Sequence, residues 1–384
     1  MKNRKMTILI ASALTFVGML LSACGSDSKA PTTPTSAKMD LTEYALSLAT
    51  PLSAEDEAIF KSLEEPSKNP DKVVWRHGNV TNNMTDSPAV RADRAFFIEL
   101  KKILGDKVEL QFFFGGSLGT SSDQILGGLQ AKNFESQSYN VGAMAEYTNA
   151  FMPLDVMFLV PDLKTALEVV NGEPGDIMRQ ECIDDTGLNV LYTPAIGMRH
   201  ITTKNKAITK VSDLKGLKIR VQNNPLHLLA FSKLGSAPTP IAYAELFTSL
   251  QQGVVDGQEN PIANIYAQNY VEVQKNMTLT NHLYTAGAFI VNNEWLLEQT
   301  PEFQEAVKKA TAVAAAYSGP ELTKTENGML DYIKSQGMMV TELVPAEYDE
   351  FVRISKETWT EASAKIGADY FNKVVTSIEK ITKK

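Results

Sequence analysis

Cysteine is nearly absent from this chain, with Cys24 and Cys182 the only two in 384 residues. Cys24 sits at the end of an apolar N-terminal stretch, so Cys182 has no internal partner and reads as a semi-buried core thiol. Histidine is equally scarce. His77, His200, His227 and His282 show no i,i+4 pair and no cysteine companion, which argues against zinc. No Gly-x-Ser-x-Gly elbow occurs, and Gly115–Gly119 carries neither a dinucleotide fingerprint nor a P-loop Lys-Ser/Thr, so it reads as a turn. Nothing in the pattern calls for a cofactor, and no enzyme motif stands out. Past the N-terminus there is no run of about 18 apolar residues, so no spanning helix is expected there. Basic residues are in deficit, 37 against 45 acidic, for a net charge of −8 that argues against broad nucleic-acid binding.

The apolar stretch itself is informative. Lys2, Arg4 and Lys5 open it, residues 6–20 are mostly apolar, and Leu21-Ser22-Ala23-Cys24 ends it with small residues before a cysteine. This resembles a bacterial lipobox, so residues 1–23 are expected to be a lipoprotein signal peptide and Cys24 the lipidated first mature residue. Loss of Lys2, Arg4 and Lys5 takes the net charge from −8 to −11. The Ser/Thr/Pro tract over 24–39 cannot bury a core and reads as a flexible tether. Residues 40–69 are a charged lead-in with some helical pattern.

The rest is long enough for about two domains, and 43% hydrophobic with 21% charged residues is a globular balance. Strand-like and helix-like segments alternate, which points to an α/β class. Strands are expected at 72–77, 108–114, 139–141, 188–192 and 197–203, with Leu154–Val160 as an apolar extended run. Helices are expected at 88–104, 121–131, from Asn224-Pro225 to Gly235, and at 242–252, 301–317 and 356–382.

One constellation speaks of function. Leu217, Ile219 and Val221 alternate with Lys218 and Arg220, a period of two that sets Arg220 opposite the core-facing residues. Downstream, Val255-Asp256-Gly257-Gln258-Glu259-Asn260-Pro261 ends in a pair suited to a helix N-cap and first helical position. A guanidinium and a carboxamide at strand ends can converge on a small anion. Simpler roles stay open: Arg220 pairing with Asp213 or Glu245, Asn260 as a pure N-cap, and Tyr243 as a core aromatic. Arg199 beside His200, Lys204 and Lys206 can be part of a merely basic edge.

Asp213-Leu214-Lys215-Gly216-Leu217-Lys218-Ile219-Arg220-Val221, Pro238-Thr239-Pro240, the Gln258-Glu259-Asn260-Pro261 turn, Val273-Gln274-Lys275 and Thr280-Asn281-His282 appear in that order. Together they resemble the DctP-type solute-binding subunits of TRAP (tripartite ATP-independent periplasmic) transporters, over roughly residues 70–350. The resemblance implies a two-lobed periplasmic-binding-protein-like fold with hinge strands and a long connecting helix. It divides the chain into lobe I at 70–196 plus 286–325 and lobe II at 197–285 plus 326–384. It also implies a ligand carboxylate held bidentately by Arg220, helped by Asn260 and by a second arginine, Arg199, with Tyr243 against the ligand. In lobe I it offers the loops after the strands, with Asn79, Thr81, Asn82 and Asn140. The expected partners are a small organic acid, TRAP membrane subunits driven by an ion gradient, and the membrane through the N-terminal lipid, on the periplasmic side or cell surface. The alternatives are a carboxylate sensor feeding a signalling receptor and an organic-acid enzyme built on the same cleft.

Overall fold

The computed structural model describes residues 47–81 and 87–383. The signal peptide, Cys24, the tether, the start of the lead-in and Asn82 lie outside the described residues. The lead-in contributes α1 (Ala54–Lys61), capped by Ser53, whose side chain accepts from the Asp56 amide. Then come β1 (Val73–Asn79), α2 (Pro88–Leu104), β2 (Val108–Phe113), α3 (Ser122–Gln130) and β3 (Ser136–Asn140), close to where the periodicity places them. Ser87 caps α2, Pro88 opens it, and Gly105 at φ 57 ends it. The apolar run Leu154–Val160 is not extended. Met152–Asp155 forms a 3-10 turn and Phe158 has φ 59, with all these residues buried. An apolar run without alternation does not separate buried strand from buried coil.

Next are α4 (Leu163–Asn171), α5 (Glu173–Thr186), β4 (Leu188–Tyr192), β5 (Ala195–Thr203) and β6 (Lys218–Val221). Asn224 caps α6 (Pro225–Lys233) by accepting from the Leu226 and His227 amides. β7 (Ala237–Pro240) leads through a 3-10 turn at Tyr243–Glu245 into α7 (Leu246–Gln252), which Gly253 stops at φ 71. β8 (Gly257–Pro261) contains Asn260, so that residue is not an N-cap. Pro261 takes the cap position and α8 (Ile262–Ala267) starts after it. β9 (Asn276–Leu279), β10 (Tyr284–Asn292) and α9 (Asn293–Leu297) precede α10 (Pro301–Ser335).

At 35 residues, α10 is twice the expected 301–317 and runs through Pro320. Proline removes one backbone bond; here the helix is held on both sides, because Ala306, Ala310 and Ala314 let it lie close along α2. β11 (Met339–Glu342) is followed by α11 (Pro345–Lys356), α12 (Trp359–Ile366) and α13 (Ala368–Thr382), so the expected single helix over 356–382 is broken, last at Gly367 (φ 104).

The strands form one hydrogen-bonded path, β2-β1-β3-β10-β5-β8-β6-β7, with β4 beside β10 and β9 between β5 and β11. The β2-β1-β3 edge and the β8-β6-β7 edge are each parallel. β10 links the halves: Gly287–Val291 pairs with β3 and Tyr284–Ala286 with β5, both antiparallel. α10 likewise serves both halves. Its Phe303 and Ala310 pack with Trp75, Phe96 and Phe289, while its Met329 and Ile333 pack with Leu250, Tyr266 and Met277. This is the two-lobed α/β arrangement with crossing strands and a long helix. Placed with lobe II by the sequence, α13 instead packs on α4 and α5, with Phe371, Val374 and Ile378 in one cluster with Val169 and Met178. The lead-in docks on α10: Thr50 Oγ1 donates to Glu321 Oε2 at 2.6 Å, and Glu321 pairs with Arg91 Nε at 2.8 Å. In parallel α/β sheets the strand ends mark the binding crevice, and the loops after β3 and β6 meet: the Asn224 side chain, just past β6, donates to Gly142 O, just past β3.

Candidate functional site

Arg220 is buried at the centre of β6, and its guanidinium is held on one edge only. Nε and Nη2 both donate to Ile241 O, at 2.9 and 2.6 Å, while the buried Nη1 has no partner. The side-on edge is therefore engaged by the protein, and the end bearing Nη1 is not. Neither Asp213 nor Glu245 takes it up: Asp213 binds Lys206 Nζ at 2.6 Å and the Thr209 amide at 3.0 Å. Burial depresses the Arg220 pKa, as expected for a cation removed from water.

Arg199, on β5, is fully buried and has a protein partner at every nitrogen. Nε pairs with Glu259 Oε2, Nη2 reaches Glu259 Oε1 at 2.8 Å, and Nη1 donates to Thr285 Oγ1 at 2.9 Å. Glu259 is also flanked by His282 Nε2 at 3.1 Å and His227 Nδ1 at 3.6 Å, while His227 Nε2 meets Asp155 Oδ1 at 3.1 Å. Burial opposes ionisation of Glu259, but the Arg199 charge and the bonds from His227, His282 and Arg199 outweigh it and hold the carboxyl well below its usual range. Burial pulls His227 down as well, yet Asp155 and Glu259 win and raise it. In His282 burial wins and the pKa falls.

Asn260 is drawn into the same network. Its Oδ1 accepts from Asn264 Nδ2 at 3.1 Å and from Arg199 Nη2 at 3.4 Å, and its Nδ2 donates to Gln258 Oε1. Gln258 is the register partner of Arg220 across β6 and β8. Tyr243 lies in the 3-10 turn just after Ile241, the residue whose carbonyl holds Arg220, and burial pushes its hydroxyl up to about 12. Tyr270 adds a buried hydroxyl with no partner, in the electrostatic range of both Arg220 and Tyr243.

On the other side of the crevice, Asn79 ends β1 with both ends of its amide engaged. Oδ1 accepts from Thr81 N at 2.9 Å, and Nδ2 donates to Asp93 Oδ2 at 3.3 Å. Asp93, on α2, also accepts from Ser138 Oγ at 2.7 Å and Tyr192 OH at 2.8 Å. Asn140 ends β3, and its Oδ1 accepts from the Gly142 amide at 2.8 Å. Gln222, two residues after Arg220, approaches the same turn: a Cβ on Gly142 would lie 2.5 Å from its Oε1.

Burial raises Asp93 to about 7 from an ordinary 3.8, against the bonds from Ser138 and Tyr192. Between roughly pH 4 and 7 the unfolded chain has this carboxyl ionised while the folded chain keeps its proton. Its contribution to stability therefore falls as pH rises, by up to about 1.4 kcal/mol per unit, and levels off above pH 7. Asp93→Asn is expected to lose that slope and to gain stability on the native protein between pH 5 and pH 8, read by urea unfolding. Equal slopes in the two proteins contradict it.

The structure thus places Arg220, Tyr243 and Asn260 around one region and adds Arg199 as a buried brace. Asn79 and Asn140 end the facing strands. Sequence reasoning missed Glu259, Asp155, His227, Asp93 and Tyr270. Glu259 stood inside the Gln-Glu-Asn-Pro motif, but the others carry no local signal.

A family model described as bacterial extracellular solute-binding protein, family 7 (DctP) matches residues 80–365. A solute-binding protein from Verminephrobacter eiseniae is 30% identical over 298 residues, covering 76% of this chain and 83% of that protein. The sugar acid binding protein DctPAm from Advenella mimigardefordensis, in complex with galactonate, has a similar structure at TM-score 0.76 and 27% identity, over 82% of this chain and 100% of that one. A TRAP periplasmic solute binding protein from a Polaromonas species, bound to D-erythronate, gives 0.73 at 26% identity, over 79% and 98%.

Proposed function

The chain belongs to family 7 of the bacterial extracellular solute-binding proteins, and on that premise we propose that it captures a small organic acid and hands it to the membrane subunits of a TRAP transporter. The observation that carries this reading is the Nη1 end of Arg220, buried, unpartnered and anchored from behind by Ile241 O. A buried donor left unmatched is costly, and a carboxylate matches a guanidinium end in both charge and plane. Tyr243 and the Tyr270 hydroxyl line the same region and suit the body of such an acid. The sugar acid and hydroxy acid complexes of the structural relatives support the ligand class.

Capture works by closure of the two lobes. A ligand touching Arg220 on β6 and polar groups at the ends of β1 and β3 favours the closed state, because only there does it meet both. The Arg199–Glu259 pair ties β5 to β8 behind the site, so it is a positioning element and not a ligand clamp. The proposed role is binding and delivery rather than catalysis; the solute-binding family model and the sugar acid binding relative support it. Lipidation at Cys24, which keeps the protein at the outer face of the cell membrane, completes the proposal. It rests on the lipobox-like sequence, and loss of detergent-phase partitioning in Cys24→Ser checks it.

Mass spectrometry of small molecules released by denaturing gently purified protein tests the main claim. The expected result is a single small carboxylic acid near one per chain. A bound molecule without an acid group contradicts the proposal.

A further inference from the structure

We propose that the acid bound at Arg220 is a hydroxylated monocarboxylate and not a dicarboxylate; this narrows the solute-binding reading above and rests on it. The argument is the supply of positive charge at the strand ends. In the first lobe the described ends and loops are residues 77–81, 87–90, 114–131, 139–150 and 193–198, and none of these stretches contains a Lys or Arg. The facing stretches 221–225, 240–245 and 260–264 contain none either. Arg199 is neutralised, because Glu259 takes its Nε and Nη2 and Thr285 its Nη1. His227 and His282 both face Glu259, and His227 faces Asp155 as well. Among the described residues at the crevice, Arg220 Nη1 is a buried cationic N–H without a partner, and His227 Nδ1, likewise without a hydrogen-bond partner, lies 3.6 Å from the Glu259 carboxylate that offsets its charge. One cation end accommodates one carboxylate.

The strand ends of the first lobe carry acceptor oxygens. The Asp93 carboxyl lies behind Asn79 and Ser138, bonded to both. Where the turn after β3 meets the residue after β6, three oxygens close on one point. A Cβ on Gly142 would lie 2.5 Å from Gln222 Oε1, 2.8 Å from Asp155 Oδ1 and 3.3 Å from Asn140 Oδ1. Gln222 Oε1 is buried and has no hydrogen-bond donor. Such a wall repels a second carboxylate, which has only acceptor oxygens, and welcomes O–H groups, which donate. A dicarboxylate closed into this crevice leaves one charge buried and unpaired, a penalty on the order of 100-fold or more in affinity. A hydroxyl instead satisfies Gln222 Oε1, which lacks a donor, and can accept from the Tyr270 hydroxyl.

Isothermal titration of the ligand-free processed protein with three sets of probes tests this. The first set is D-glycerate, D-gluconate, D-galactonate and D-glucuronate; the second is succinate, fumarate and L-malate; the third is butyrate, an acid without hydroxyls. The expected result is that at least one member of the first set binds about 100-fold or more tightly than every member of the other two. A smaller ratio, or a dicarboxylate binding best, overturns the class assignment. If Arg220→Ala then abolishes that dicarboxylate binding, acid capture at Arg220 still stands. Failure of all three sets to bind counts against the class and against acid capture together.

Discussion

Arg220→Ala is expected to weaken binding of the cognate acid by a hundred- to several-thousand-fold while leaving the fold intact. The figure follows from breaking a charge pair closed away from water, about 3–5 kcal/mol, at 1.4 kcal/mol per tenfold. The fold survives because the side chain supports only one protein group, Ile241 O, which solvent reaching the vacated space can satisfy. Arg220→Lys is expected to recover little. An ammonium has no fixed fork with which to hold Ile241 O on one edge and meet a carboxylate at the other end. Calorimetry gives the affinity and circular dichroism the fold. A wild-type affinity in Arg220→Ala removes Arg220 from the site.

Glu259→Ala is expected to show the opposite division, with a large loss of stability. Arg199 is fully buried, and Glu259 is its charge partner. Removing the carboxylate strands that cation, at about 3–5 kcal/mol, and also deprives His282 of its acceptor and His227 of a neighbouring negative charge. The double change Arg199→Met with Glu259→Leu is expected to recover part of the loss, because no unpaired charge is left. Since Glu259 is held well below its usual range, its stabilisation is present above the ordinary carboxylate pKa and is lost only as pH falls through the depressed folded value. Guanidinium unfolding at neutral pH measures the loss. A change under about 1 kcal/mol in Glu259→Ala contradicts the brace.

Much of the fold was legible because its signals are local. Ser87-Pro88 and Gly105 bracket α2, Asn224-Pro225 opens α6, and Gly253 closes α7. Where tertiary packing decides, sequence reading failed. The periodicity places a helix over 301–317, yet α10 continues to Ser335, through Pro320 and against α2. Asn260-Pro261 has cap chemistry, yet register with β5 and β6 draws it into β8. Packing also sends α13 to the first lobe, which no periodicity encodes.

The site divides in the same way. Alternation alone set Arg220 apart from the apolar face of β6, and the structure leaves its Nη1 end without a partner. Arg199 carries the same side chain in a similar strand, yet Glu259 occupies it. Which arginine is free depends on a carboxylate sixty residues away, and only folding brings the two together. Asp93, Ser138 and Tyr192 meet for the same reason, from a helix and two strands.

A crystal structure with the released acid bound tests the central claim most directly. The account predicts a carboxylate oxygen about 3 Å from Arg220 Nη1, with the remainder of the molecule against Tyr243 and the ends of β1 and β3. An acid seated elsewhere, with Nη1 turned to a protein group or to water, contradicts it.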